Sequence, residues 1–355
     1  MKNLINTRRK ELGLTITALA AKTNMDQSLL SRIISGQRKA TTKQLLSLSI
    51  ALDIDATEII TQYIARDVEN LIKPYPELAP RIMKVAEERV AYLSSNKVMK
   101  TIDLSKSIEE KLSYIDKLRL NWAAKKPLNE TQLVKMQEYF NTRYTFESNK
   151  IEGNTLSYRE THLVINEGIT IGGKSMREHL EAINHQEAIL LMQDMVQKNA
   201  SLNSHSLKQL HQLILKGIDS RNAGIYRNIP VRIAGSDHLP PEPYKIDKMM
   251  EDYFLFYTTR RKTLHPVILA AEMHERLVTI HPFVDGNGRT SRLIMNLILL
   301  QNGCTIANLK GDYESRMRYY NALEKVQLDH ESSDFYEMIC DYSIASLEEH
   351  IELAG

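Results

Sequence analysis

The sequence predicts an all-α protein carrying one small β-hairpin. Apolar residues recur at helical spacing over most of the 355-residue chain. Four short helical patterns crowd into residues 3–52, and only residues 224–243 combine strand-type side chains with flanking Gly and Pro. With 43% hydrophobic and 25% charged residues and a net charge of +2, the composition is that of a globular protein of two or three domains. Its two cysteines, Cys304 and Cys340, both fall in apolar helical patterns. They read as buried reduced thiols, which excludes a disulfide framework and a cysteine-based metal site. The N-terminal MKNLINTRRKELGL has no apolar core of signal-peptide length, and LIMNLILL is too short to cross a bilayer. The expectation is a cytoplasmic protein without a membrane partner.

The near-zero net charge hides a division. Residues 1–65 hold nine Lys or Arg against five Asp or Glu, a net of +4, which leaves −2 for the remainder. A basic N-terminal module points to nucleic acid. Its helical patterns are LINTRRKEL, TITALAAKT, DQSLLSRIIS and TTKQLLSLSIAL, with Asp26 placed to cap the third. This close helix-turn-helix spacing, with LAAKTNMDQSLLSRIISGQRKAT, resembles the Cro and phage-repressor type of DNA-binding domain. The resemblance implies that Leu29, Ile33 and Ile34 face the core. Gln27, Ser28 and Arg32 would point to base edges, and Gln37, Arg38 and Lys39 would lie near phosphates. Such domains commonly act as dimers on two half-sites, so a homodimer is compatible with it. The alternative is a repressor-like bundle used only for protein binding.

Residues 67–125 read as a helical connector. LIKPYPELAP must stop the preceding helix, which puts a boundary near Lys73 to Pro80. The runs RIMKVAEERVAYL and SIEEKLSYIDKLRLNWAA follow, with Trp122 as a packing anchor. In YTFESNKIEGNTL, Ser148 and Glu152 are four apart and share a helix face, and Gly153-Asn154 ends the helix. His179, His185, His205 and His211 lack zinc-site spacing and read as ordinary helix-face or core residues. In GIYRNIPVRIAGSDHLPPEP, residues 230–233 read as a strand, 235–237 as its turn and Pro240-Pro241 as its end. A short hairpin leaves an open edge that pairs with extended peptides.

Residues 281–292, HPFVDGNGRTSR, carry the chemistry. A glycine-bearing turn opens onto the helical run RTSRLIMNLILLQ, so backbone N–H groups and a helix N-terminus converge on one anion. Arg289 and Arg292, three apart, offer two guanidinium forks to a phosphate. Asp285 can hold a hard divalent cation, and His281 is suited to accept a proton. Tyr319 and Tyr320, in YESRMRYYNALEKVQL, offer an aromatic surface on which a flat ring can stack.

The whole string resembles the Fic family signature, with every motif position matched. The resemblance implies a Fic-type helical core with a β-hairpin flap, over residues 126–330. It includes an inhibitory helix (about 140–153) and the flap (about 226–241), with residues 1–66 as the helix-turn-helix domain and 331–355 as a C-terminal helix. It further implies transfer of AMP from ATP, with Mg²⁺, to a Ser, Thr or Tyr hydroxyl of a target protein docked at the flap. His281 would act as base and Asp285 as cation ligand, with Gly286, Asn287, Gly288, Arg289, Arg292 and Tyr320 binding the nucleotide. In that family SNKIEGN marks self-inhibition, in which Glu152, with Ser148 on the same face, pairs with Arg292 and denies it to the γ-phosphate. An Arg held bidentately by a carboxylate cannot also clamp a phosphate. Two alternatives stay open: removal of AMP by water that Glu152 positions, and a nucleotide-sensing transcription regulator.

Overall fold

Capping side chains set the helix boundaries of the N-terminal region. Thr15 Oγ1 accepts from Ala18 N–H before α2 (Ile16–Thr23), and Thr41 with Gln44 forms a capping box before α4 (Thr42–Leu52). Asp55 accepts from Glu58 N–H at the start of α5 (Ala56–Ile72). Asn24 and Asp53, at φ 51° and 52°, end α2 and α4 in the left-handed conformation that these two residues tolerate. With α1 (Lys2–Glu11) and α3 (Gln27–Ser35), these helices enclose a core of Ile5, Leu19, Leu30, Leu48, Leu52 and Ile59. Leu30, rather than Leu29, is the buried anchor of α3 beside Ile33 and Ile34; Leu29 is half-buried.

The computed structural model describes residues 2–35, 37–84, 86–87 and 102–355. They fall into two units, Met1–Thr101 and Ile102–Gly355. Most of the expected amphipathic run at 81–93 lies outside the described residues. Among the described residues no helix is long and apolar enough to cross a membrane.

The second unit contains α6 (Lys106–Ala124), α7 (Glu130–Ile151), α8 (Tyr158–Glu167), α9 (Met176–Gln197) and α10 (Ser204–Ile214). After these come α11 (Ile246–Arg260), α12 (Pro266–Ile280), α13 (Asn287–Gln301), α14 (Tyr313–Glu324) and α15 (Ser333–Ala354). Helices α12 and α13 are buried on almost every face, as central helices of a domain must be. They pack against each other, and the short connection 281–286 between them is the motif turn. Around this pair, α9 and α10 cover α13, α15 covers α12, and α6 lies along α15. Trp122 anchors α6 edge-on to the His350 ring, 5.4 Å between centroids. The expected inhibitory segment is the last part of the longer α7. Cys304 and Cys340 are free and buried, and burial pushes their thiols up to about 11 and about 12.

The expected hairpin is absent: among the described residues the protein is all-helical, with no β-strand. Residues 225–242 run extended without a ladder, because Pro230, Pro240 and Pro241 remove backbone donors that pairing would need. A side chain joins the two arms instead. Arg227, 4% exposed, donates from Nη1 to the Ile229 carbonyl (3.0 Å) and from Nη2 to that of Pro241 (2.6 Å). Its Nε donates to the His281 carbonyl at 2.8 Å, and its backbone N–H to Pro282 O at 2.8 Å.

Replacing Arg227 with Ala orphans three carbonyls that a charged donor now satisfies. The variant is expected to lose about 3 kcal/mol in urea unfolding and to be cleaved faster within 225–242 under limited proteolysis. Unchanged unfolding and cleavage would show that the arms hold without it.

Candidate active site

The motif turn is shaped by its own side chains. Asn287 accepts from Phe283 N–H (3.0 Å) and donates to Phe283 O (2.9 Å), closing the loop on itself. His281 ends α12 at φ 50° and Gly286 starts α13 at φ 76°, a left-handed conformation that glycine adopts without a Cβ penalty. No side chain caps α13 at Gly286, and Gly286, Asn287 and Gly288 line the cavity, an arrangement that suits an anion.

That cavity, about 720 Å³, falls within the size range of ligand sites. His281, Asp285, Gly286, Asn287, Gly288 and Arg292 line one side, and Glu152 and Gly153 enter from the end of α7. Tyr319, Tyr320 and Arg316 of α14 line another wall. Beyond them Gln327 reaches the cavity from a π-helical turn, Lys325–Asp329, a feature frequent at functional sites.

His281 Nδ1 lies 3.3 Å from the Val278 carbonyl, which can only accept. Nδ1 therefore carries the ring proton, and Nε2 keeps its lone pair. Burial pushes the imidazole down to about 4; the Val278 carbonyl and Glu152 act in the opposite sense, and Arg227 adds to the lowering. His281 is thus a neutral base at physiological pH.

Arg292 is 1% exposed, and its fork is shared. Nε donates to Ser148 Oγ (3.0 Å), and Nη2 to Ser148 O (2.9 Å) and to Glu152 Oε1 (2.7 Å). Burial acts to lower its pKa, but Glu152 and nearby tyrosines raise it above the ordinary value. Glu152 therefore holds Arg292 through one oxygen and not bidentately, and Nη1 has no hydrogen-bond partner. Gly288 makes room for this pairing: a Cβ there would meet Glu152 Oε1 at 2.5 Å.

Asp285 lines the cavity with Oδ1 bound to Gly286 N–H (2.6 Å) and Oδ2 to Arg177 Nη2 (2.9 Å). Burial raises its pKa, but Arg289, Gly286 N–H and Arg177 bring it below the ordinary value, so it is ionised. Arg289, 2% exposed, sits behind the loop and not on the cavity wall, 3.4 Å from Glu181 and 3.5 Å from Asp285. Tyr320 lines the cavity while its hydroxyl donates to Ile151 O at the end of α7 (3.0 Å); Tyr319 is buried with its hydroxyl 3.1 Å from His274 Nε2.

Residues outside the motif hold it in place. His211 accepts from Gly224 N–H at Nδ1 (2.8 Å), so Nε2–H donates to Asp285 O (2.8 Å), and its ring stacks on Phe283 at 3.6 Å. Burial pushes it down to about 4. Glu181 bonds Arg177 (3.1 Å) and Asn154 (3.0 Å), joining the segment after Glu152 to the partners of Asp285. Sequence spacing marked neither His211 nor Glu181, since both act across long separations.

In the N-terminal unit, Gln27, Ser28 and Arg32 lie together on the exposed face of α3. Arg32 Nη2 folds onto Ser28 Oγ (3.3 Å), and that hydroxyl is bound to Asp26 (2.5 Å). Gln37 and Arg38 are exposed, whereas Lys39 is tied to Asp67 at 2.7 Å.

Comparison with known proteins agrees with both regions. Residues 201–299 match the model of the Fic/DOC family and residues 5–59 that of a helix-turn-helix. The two regions are thus similar to a Fic/DOC domain and to a helix-turn-helix domain. A protein adenylyltransferase Fic of Nematostella vectensis is 34% identical over 191 residues, covering 53% of this chain and 43% of that protein. Its counterpart in Drosophila melanogaster is 31% identical over 228 residues, covering 63% of this chain and 45% of that one. The chain therefore spans less than half the length of these relatives. A Fic domain containing signalling protein from Bacteroides thetaiotaomicron superposes with a TM-score of 0.62 at 27% identity, over 68% of this chain and 97% of that one. Fic-1 from C. elegans (aa 134–508) superposes at 0.63 and 22% identity, over 95% and 96%, which shows a shared fold.

His281, His211 and His350 titrate near 4 and His274 near 3, each through burial. Their folded-state pKa values lie below that of an unfolded histidine, about 6.5. The unfolded chain therefore binds more protons between these values, so stability is complete above about 6.5 and falls as pH drops toward 4. The melting temperature is expected to fall on the order of 10 °C over that window. A flat profile between pH 6.5 and 4.5, where most carboxylates are still ionised, would contradict this burial pattern.

Proposed function

We propose that this chain is a protein adenylyltransferase, moving AMP from ATP to a Ser, Thr or Tyr hydroxyl of a protein and restrained by Glu152. One observation supports this most: the unprotonated Nε2 of His281, the uncapped N-terminus of α13 and the Glu152–Arg292 pair share one cavity. The names of the relatives point the same way.

In this reading the acceptor oxygen bonds to the α-phosphorus and its proton passes to His281 Nε2. The bond to pyrophosphate then breaks. Asn287 and Gly288 direct backbone donors at phosphate oxygens while Gly286 N–H holds Asp285 Oδ1, and Arg292 neutralises the outer phosphates once Glu152 leaves it. Arg289 serves from behind, fixing Asp285 and Glu181. Among the described residues no group of three or more His, Cys, Asp or Glu could hold a metal by itself. A single carboxylate still suits Mg²⁺, which keeps its waters and takes phosphate oxygens, so Asp285 would hold it. The ion would supply charge neutralisation on the phosphates. The target's acceptor segment would lie along the extended residues 225–242, and the adenine against Tyr320.

Loss of transfer in His281→Ala with nucleotide still bound is expected; undiminished labelling by that variant would sink the assignment. Glu152→Gly should raise self-labelling from radioactive ATP by more than tenfold, equivalent to about 1.4 kcal/mol or more in the barrier. The one-oxygen contact of Glu152 favours a second reading, in which its other oxygen positions water to remove AMP from a modified target. Under that reading Glu152→Gly abolishes removal instead of exposing transfer.

The N-terminal domain is proposed to bind DNA as a dimer on two half-sites, with Gln27, Ser28 and Arg32 toward the bases. Arg32→Ala should weaken specific binding in a gel shift by about tenfold or more, which corresponds to a lost base contact of about 1–3 kcal/mol. Equal binding of specific and random duplexes by both forms would favour the protein-binding alternative.

A further inference from the structure

Among the described residues that line the 720 Å³ cavity, three carry hydroxyl groups: Ser236, Tyr319 and Tyr320. Both tyrosines are committed, Tyr319 to His274 Nε2 and Tyr320 as donor to Ile151 O. Ser236 differs. Its Oγ accepts from His238 N–H at 3.2 Å, which leaves its own proton undonated to any protein acceptor.

Ser236 also lies where the extended segment crosses the cavity. On one side the His238 ring donates from Nε2 to Thr279 O at 2.9 Å, two residues before His281. On the other, Asp237 N–H reaches Glu324 Oε1 of α14 at 3.4 Å. The turn at Ala234-Gly235, closed by Ser236 N–H on Ile233 O (3.3 Å), precedes it and lines the same cavity. The segment is thus pinned to the last turn of the helix that ends at His281 and to the α14 wall, with a serine beside the pins.

We infer that Ser236 is an acceptor in its own chain: a self-modification site for the nucleotidyl group, set on the segment along which a target would lie. The inference rests on the adenylyltransferase reading of the cavity. Ser236 Oγ bonds to the α-phosphorus of ATP, its proton goes to Nε2 of His281, and pyrophosphate leaves with the electron pair of the broken P–O bond. The product is a Ser236 phosphodiester of AMP. It lies in the cavity that a further ATP and a target hydroxyl need, so modification closes the site from within. Acceptor and base belong to one chain and line one cavity, so once ATP is bound the step needs no encounter with a second protein molecule.

The test uses the full chain with Glu152→Gly, incubated with ATP, digested with trypsin and read by mass spectrometry. Cleavage after Arg232 and Lys245 gives residues 233–245, in which Ser236 and Tyr244 are the hydroxyl-bearing side chains. AMP is expected on this peptide at Ser236, absent in Ser236→Ala and retained in Ser236→Thr. The modified fraction at a fixed time should not change on tenfold dilution. AMP found on other peptides but not on Ser236 overturns the inference and leaves the adenylyltransferase reading standing, as does a fraction that falls in proportion to concentration. AMP on neither this chain nor any added protein removes both.

Discussion

A guanidinium buried to 1% exposure cannot stand unpaired, and the arrangement of this site follows from that constraint on Arg292. Desolvating a full charge is expensive unless hydrogen bonds and a counter-charge surround it. Here Ser148 and Glu152, from the end of one helix, supply both. The same positive group that makes the cavity suitable for phosphate therefore makes α7 bind there when phosphate is absent. In the proposed reading, activity and restraint are two ways of satisfying one buried charge. Attachment through a single carboxylate oxygen, with Nη1 unpartnered, is what an exchangeable counter-ion requires.

The rest of the second unit keeps that exchange local. His211 clamps the backbone of the motif turn, Arg227 ties the His281 carbonyl to the extended segment, and Glu181 links Asn154 to Arg177. Buried charged or ring groups make each contact, so each is geometrically demanding and leaves little slack. His281 is held neutral by the same burial. An imidazole with its proton fixed on Nδ1 needs no pH change to accept a proton on Nε2, so the proposed restraint rests on Arg292 and Glu152 and not on the titration of His281.

Much of this was legible in the sequence. Apolar periodicity and capping residues gave the helices of both units, including the crowded first four and the α12–turn–α13 unit. The run from His281 to Arg292 announced a histidine, a glycine turn and two arginines in one stretch, and the spacing of Ser148 and Glu152 marked one helix face. What failed was the hairpin. Val231 and Ile233 looked like a strand, but three prolines strip the ladder of donors, and a buried arginine does the joining. Leu29 and Leu30 exchanged places because a one-residue error turns a helix by about 100°.

Local order was therefore settled by the chain alone, because helix periodicity, caps and glycine turns depend on residues within a few positions of one another. Arg289 and Arg292 show where this stops. They stand three apart on one helix and look equivalent, yet one lies behind the loop against Glu181 and the other at the cavity against Glu152. Partners about 108 and 140 residues away decide between them. Burial sets the strength of a charge's interactions, and burial exists only once distant helices have closed around it.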